Sequence, residues 1–312
     1  MGKKKKDTME LRFYEVPQNE YVLALLGDSW IRDYGHDESN LHFHNLMEIG
    51  YCKHGTGELI LNEESKPYEP AMVSIIPQNY PHVTISDSDS GPSFWEYLFF
   101  DPMVMIQELY PDNPVIQKKI LQMVNQKALF FHEWENPGVS VLVKMIMDEM
   151  RQKKKRFHEC VRGLMIALFA ELLRMCENDI AEDEIRKKTG VSQITPALEY
   201  VRNEYANNIR VEELAKASHM SETHFRRVFE SYMNMSPMDY INLMRVQKAC
   251  DIMKKTNDSM DVVAQKVGFT TTSTFNRNFK KYLNTSPYQW KISPENYERK
   301  LLNCNISALK GW

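Results

Sequence analysis

"SETHFRRVFESYMNMSPMDYI", Ser221 to Ile241, and "TTSTFNRNFKKYLNTSPYQWK", Thr271 to Lys291, carry one pattern twice in a single chain. Aligned without a gap, seven of the twenty-one positions are identical: Phe225/Phe275, Arg227/Arg277, Phe229/Phe279, Tyr232/Tyr282, Asn234/Asn284, Ser236/Ser286 and Pro237/Pro287. In the first copy Phe225, Val228, Phe229 and Tyr232 recur at helical spacing and share one buried face. The opposite face then shows Glu222, Thr223, Arg226, Arg227 and Glu230. The second copy buries Phe275 and Phe279 and presents Thr272, Ser273, Asn276, Arg277 and Lys280.

Working outward, each copy is preceded by a short helical stretch, "VEELAKAS" and then "DVVAQKVGF", with Leu214-Ala215 answering Val263-Ala264 after a one-residue shift. A turn at His219 and Met220 leads to Ser221, an N-cap residue, with Met220 and Phe225 placed for a hydrophobic staple. Further upstream, Thr195 can cap and Pro196 can open a helix with Leu198, Val201 and Tyr205 on its inner face. Between the copies, "SPMDYINLMRVQKACDIMKKT" reads as one helix, whose length of roughly 28 Å is of the order of the ~34–36 Å between successive major-groove turns on one face of a duplex. Short polar side chains at a helix N-terminus, followed one turn later by Arg or Asn, suit a helix entering the major groove end-on. Any surface helix turns polar residues outward. Repetition of the whole helix-turn-helix unit favours two readers held by a strut.

These residues resemble the DNA-binding domain of AraC-type (AraC/XylS) bacterial transcription regulators. The resemblance covers residues 193–292 and is most specific from Gly268 through Phe275, Arg277, Phe279 and Lys280 to Ser286-Pro287. Asn284 stands where the family usually has Gly, a conformation Asn tolerates, and Trp290-Lys291 replaces a more usual Tyr-Arg. The resemblance implies double-stranded DNA as a partner, with RNA polymerase a second one for an activator. Carried over by position, Thr223, Arg226 and Arg227, then Thr272, Ser273, Asn276 and Arg277, contact bases or backbone; Glu222 and Lys280 complete the candidate DNA-binding set. Arg227 and Arg277 can equally contact phosphate or brace the helix.

The 312 residues suffice for two domains. The net charge of -3 conceals an asymmetry: residues 193–312 hold 17 Lys+Arg against 12 Asp+Glu (+5), leaving 22 against 30 (-8) for residues 1–192. A basic back half suggests an anionic partner for that half only. The first segment lacks the apolar stretch of a secretory signal, and no run approaches a membrane span; a soluble cytoplasmic protein with no membrane partner is expected. The five cysteines are scattered and form no CxxC, so neither a disulfide framework nor a zinc-finger spacing is visible. Lys3–Lys6 reads as a solubilising tail.

In the front half, "LMEIGYC", "GELIL", "AMVSIIP", "HVTIS" and "FWEYLFF" read as strands of an antiparallel sandwich or small barrel. From Pro114 onward the period turns helical. Val139–Met150 is richly apolar, and Val161, Leu164, Leu168, Phe169, Leu172 and Met175 line one broad face of the next helix. The hairpin's stripe either pairs with a second copy, giving a homodimer, or covers the barrel. The expected fold class is α+β multidomain: a cupin-like effector barrel (1–112), a helical hairpin as candidate dimerisation segment (113–177), a linker (178–192), a tandem helix-turn-helix domain (193–292) and a C-terminal extension (293–312).

The stretch "HFHNLMEIGYCKHG", with His42, His44 and Glu48, followed by "AMVSIIPQNYPH" ending at His82, resembles the two motifs of cupin barrels. Cupins are the usual effector domain of many AraC-type regulators, so the two resemblances support each other. In metal-binding cupins the equivalents of His42, His44, Glu48 and His82 converge on one ion, and two imidazoles two residues apart on a strand share a face. The same cluster can instead line a ligand pocket or brace the barrel, so no firm cofactor is assigned and a divalent metal is left open. Trp30, Trp95 and Tyr97 are candidates for stacking on a sugar ring, or ordinary core aromatics. The expected function is a ligand-responsive, sequence-specific transcription regulator, an activator by family resemblance, with a small-molecule effector such as a mono- or oligosaccharide. The alternatives are a metal-dependent cupin enzyme or metal-responsive regulator, and an assembly module without a ligand. No GxSxG, phosphate-binding loop or HExxH is present, so no enzyme is expected.

Overall fold

The structure is a computed structural model describing residues 10–12, 14, 16, 17, 19–36, 41–61, 64–88, 91–180, 193–233, 235–283 and 285–292. Lys3–Lys6, Asn234, Asn284, Cys304, the 293–312 extension and most of the expected linker (181–192) lie outside the described residues. The chain divides into two compact units, Phe13–Lys187 and Lys188–Trp312, with Met1–Arg12 grouped with the latter.

The strands are β1 (Glu10–Arg12), β2 (Leu23–Leu25), β3 (Ile31–Arg32), β4 (His42–His44), β5 (Met47–His54), β6 (Gly57–Leu61), β7 (Glu64–Tyr68), β8 (Met72–Ile76), β9 (His82–Ser86), β10 (Ser93–Phe100) and β11 (Leu129–His132). In the front unit one sheet contains the run β4-β9-β6-β7; the other runs β11-β8-β5-β10-β2, with β3 also on β10. Antiparallel register places Glu48 opposite Phe99, Gly50 opposite Tyr97 and Cys52 opposite Trp95. Because side chains alternate along a strand, these six share one face and Met47, Ile49, Tyr51, Leu98 and Phe100 share the other. The apolar face is the one turned to helices: it forms a single core with Ile106, Val143, Ile146, Met147, Val161, Leu168 and Phe169. The opposite face is left polar and aromatic. At Gly50 a Cβ would lie 2.5 Å from Ser74 Oγ and 3.2 Å from the Trp95 ring, so only glycine lets the indole lie across this strand.

Four helices follow the sheets: α1 (Pro102–Leu109), α2 (Pro114–Val124), α3 (Pro137–Gln152) and α4 (Phe157–Ile180). Pro opens the first three, with Asp101 and Asn113 side chains capping α1 and α2. The α4 stripe of Val161, Leu168, Phe169 and Leu172 is buried in the shared core rather than exposed. These residues of the stripe therefore cover the sheet. Helical periodicity from Pro114 onward also overlooked β11, which pairs with β8. A four-residue apolar run between helices carries no period by which to tell a strand from a helix.

The back unit holds α5 (Thr195–Glu204), α6 (Val211–Ala217), α7 (Glu222–Met233), α8 (Pro237–Lys255), α9 (Met260–Lys266), α10 (Thr272–Leu283) and α11 (Pro287–Ile292). Thr195 is the first residue of α5 rather than its cap, which falls on Ile194 without a side-chain bond. The repeated Ser-Pro now has a cause. Ser236 accepts the Asp239 amide at 3.1 Å and Ser286 the Gln289 amide at 3.2 Å, each capping a helix with Pro in its first turn. The repeated rings also have a cause, because Phe225, Phe229 and Tyr240 pack tilted and edge-on at 5.3 and 5.8 Å, and Phe275, Phe279 and Trp290 edge-on at 5.5 and 6.0 Å. Trp290 thus fills the place of Tyr240.

His219 (φ 56°) and Gly268 (φ 87°) mark the same left-handed turn in the two units. The one-residue shift arises just after it: four residues, 218–221, separate α6 from α7, and five, 267–271, separate α9 from α10. Gly268 is required, since a Cβ there would lie 2.6 Å from the Ala206 carbonyl oxygen. From α8, buried Arg245 donates to the carbonyls of Tyr205 (2.7 Å) and Asn207 (2.8 Å) in that same loop. The loop after α5, the strut and the second turn are therefore locked together.

Candidate nucleic-acid interface and barrel interior

Ser221 and Thr271 cap the two candidate reader helices, accepting the amides of His224 at 3.4 Å and Thr274 at 3.2 Å. Burial of Phe225 and Phe229 in α7, and of Phe275, Asn278 and Phe279 in α10, fixes which side of each helix faces out. Glu222, Thr223, Arg226, Arg227, Ser273, Asn276, Arg277 and Lys280 are all exposed. Thr272 differs: it is half-buried and donates its hydroxyl to Asp261 of α9, bracing the helix start. In α7 the outward groups partly engage one another, Arg226 with Glu222 at 2.8 Å and Arg227 with His224 at 3.1 Å. The α10 residues Ser273, Asn276, Arg277 and Lys280 carry no such pairing among the described residues. Two capped helix N-termini with a positive dipole end, polar side chains and Arg or Lys one turn on suit phosphate and base-edge contacts.

In the front unit His44, Glu48 and His82 offer ligand atoms all within 4.8 Å of one another, and all three are buried. His42 lies outside this group, although its ring stands 4.2 Å from that of His82. His44 Nδ1 meets the Leu46 carbonyl at 2.7 Å and His82 Nδ1 the Tyr80 carbonyl at 2.9 Å. A carbonyl only accepts, so each Nδ1 bears the proton and each Nε2 is left pointing toward Glu48 Oε2, at 3.1 Å from His44 and 3.6 Å from His82. Burial lowers the His44 pKa, disfavouring its cationic form. Burial would raise Glu48, but the neighbouring His82 and His44 rings outweigh it and hold the carboxyl below its usual range. His82 Nε2, 3.6 Å from Glu48 Oε2, is buried without a hydrogen bond among the described residues.

Trp95 and Tyr97 share the face of Glu48. Their rings stack at 6.2 Å, and Trp30 meets Tyr97 edge-on at 5.8 Å. The Trp95 indole N–H is buried without an acceptor among the described residues.

A helix-turn-helix domain model matches residues 214–292. The raffinose operon transcriptional regulatory protein RafR of Pediococcus pentosaceus is 21% identical over 248 residues, covering 78% of this chain and 84% of that protein. The HTH-type transcriptional activator RhaS of Escherichia coli O81 (strain ED1a) is 20% identical over 251 residues, covering 79% of this chain and 85% of that protein. Residues 214–292 are an AraC-type helix-turn-helix domain, and the chain is similar to transcription regulators over most of its length. Among solved structures, unsaturated fatty acid-bound ToxT from Vibrio cholerae strain SCE256 is 15% identical, with a TM-score of 0.36, covering 87% of this chain and 93% of that one.

The candidate reading residues other than Thr272 lie on the exposed sides of α7 and α10. His44, Glu48 and His82 also converge, with Trp95 and Tyr97 on the Glu48 face. Sequence reasoning missed Tyr14, whose ring meets His44 at 5.8 Å, and Tyr34, which Trp30 and Ser86 hold. It also missed Tyr68, bonded to Ser93 at 2.8 Å and edge-on to Trp95 at 5.1 Å. The alternation His82, Thr84, Ser86 in β9 was the available sign of a strand with polar residues turned to one buried face.

Proposed function

We propose that the regulator is a ligand-responsive activator whose barrel interior takes a small polar effector of carbohydrate type. The carrying observation is a pair of buried polar atoms without a hydrogen bond among the described residues, the Trp95 indole N–H and His82 Nε2, beside stacked aromatic rings. Buried polar groups without partners are rare in folded proteins, and those present invite an unplaced hydrogen-bonding group. Aromatic faces beside a donor and a carboxylate suit a sugar ring, whose C–H face stacks while its hydroxyls both donate and accept. RafR, named for a raffinose operon, is among the similar proteins. Effector binding shifts the regulator between states by its difference in affinity for them. Activation implies contact with RNA polymerase, and a homodimer in the cytoplasm is part of the same proposal. Thermal-shift and calorimetric titration of the full chain with mono-, di- and trisaccharides tests it: one sugar must raise the melting temperature in a concentration-dependent way. No shift with any sugar would remove the carbohydrate assignment.

The donor set also favours a second reading. Both imidazoles donate through Nδ1 to backbone carbonyls, the arrangement that orients metal-ligating histidines, and His44, His82 and Glu48 form a three-ligand set suited to a divalent transition metal. Such an ion would fix the cluster and present an electrophilic position to an effector. Elemental analysis of purified protein, with His44→Ala as the comparison, separates the readings: stoichiometric metal lost in the variant supports this one.

A further inference from the structure

The two reader helices differ in chemistry at a pair of matched positions one turn apart near their N-termini. Where α7 has Glu222 and Arg226, α10 has Thr272 and Asn276. Glu222 is the first residue of α7 and Arg226 stands one turn later; Arg226 Nε and Nη2 both donate to Glu222 Oε1, at 2.9 and 2.8 Å. Both side chains are 44% exposed, so the pair sits on the outward side. Glu222 Oε2 and Arg226 Nη1 remain unengaged among the described residues. In α10 the counterpart of Glu222 is turned back to Asp261, leaving Asn276 as the exposed member. The same scaffold therefore presents a charged acceptor-donor couple in one unit and a neutral amide in the other.

A carboxylate entering the major groove approaches phosphates of its own sign, and it is tolerated where a base offers it a donor. Cytosine N4 does so, while guanine O6 and N7 accept the Arg fork. We propose that Glu222 and Arg226 act as one unit that selects an adjacent cytosine and guanine in the first half-site, Arg226 donating to guanine O6 and N7 and Glu222 accepting from cytosine N4. The ion pair keeps the guanidinium extended along the helix before DNA arrives, and the carboxylate excludes bases that present only acceptors at its position. Thr272 and Asn276 make no such demand, so the two half-sites differ in sequence at this place. The proposal rests on α7 entering the groove.

Selection of bound duplexes from a randomised library by the full chain tests it, with Glu222→Gln, Arg226→Ala and Arg227→Ala in parallel and helix content checked by circular dichroism. Wild-type protein is expected to select cytosine beside guanine in one half-site. Glu222→Gln is expected to lower the cytosine preference by about tenfold and to gain adenine, which Gln pairs through N6 and N7; Arg226→Ala is expected to lose the guanine. The second half-site stays unchanged in both. If Glu222→Gln selects the wild-type bases while Arg226→Ala or Arg227→Ala weakens binding, the paired reading falls and the groove placement stands. If Glu222→Gln weakens all sequences alike with loss of helix content, the couple serves helix stability and the proposal also falls. If none of the three changes affinity or preference, the groove placement of α7 falls, and the proposal with it.

Discussion

Asp239, in the first turn of α8, accepts the Lys281 ammonium at 2.5 Å across forty-two positions of sequence. Tyr282 beside that lysine donates its hydroxyl to the Asp239 carbonyl at 2.9 Å. The C-terminal end of the second reader helix is thus tied to the start of the strut, whose other flank is held by Arg245. Both ties act within the repeat, and both leave the outward residues of α7 and α10 free.

Asp239→Ala removes the bonds to Ser236 and Lys281 and is expected to destabilise the back unit by about 1–2 kcal/mol, read by denaturant unfolding of the full chain. Burial raises the Asp239 pKa, but Lys281 and Ser236 outweigh it and hold it below the ordinary aspartate value. A depressed folded-state pKa means stability that is full above the unfolded value and is lost as pH falls through the folded one. The wild-type advantage over Asp239→Ala therefore shrinks on acidification below about pH 4 and persists at neutral pH.

Arg245→Met keeps the apolar stem and deletes the donors to the carbonyls of Tyr205 and Asn207. Two buried acceptors lose their partner, an expected cost of about 2–4 kcal/mol. DNA affinity should fall although the residue lies away from the reading faces; unfolding midpoints and duplex titrations measure the two effects.

The paired turns predict unequal effects. Gly268→Ala forces a Cβ against the Ala206 carbonyl at positive φ, with an expected loss above about 1 kcal/mol. His219→Gly relieves a left-handed non-glycine residue and should change stability by less than about 1 kcal/mol. Equal effects at both sites would contradict the equivalence of the turns.

Trp95→Phe retains an aromatic ring and removes the buried N–H. Effector affinity is expected to drop by up to about tenfold, while DNA affinity without effector stays at the wild-type value. A coincident loss of both would mean that Trp95 supports the fold alone.

Much of the back unit was legible because its signals are local. Capping serines, Pro at first helical turns and rings spaced at 3.6 residues each specify structure within a few positions, and repetition doubled every signal. The front unit was legible in part. Strand identity follows from alternation, but which face meets the helices depends on pairing across the sheet. Val161, Leu168 and Phe169 form a stripe along the chain, but only the fold brings Met47, Ile49 and Leu98 into one core with them. Tyr14, Tyr34 and Tyr68 stand beside the His44 and Trp95 groups only through contacts made across the fold, which no spacing along the chain encodes.

The central claim is that a fixed strut, α8, holds α7 and α10 against two successive segments of one duplex. Inserting five base pairs, about half a helical turn, between the two segments of a selected site tests it most directly. The regulator should lose the second set of contacts, with affinity falling about a hundredfold toward its non-specific level and protection from cleavage retained on one side only. Equal affinity for the original and the lengthened site, with both segments protected, would contradict it.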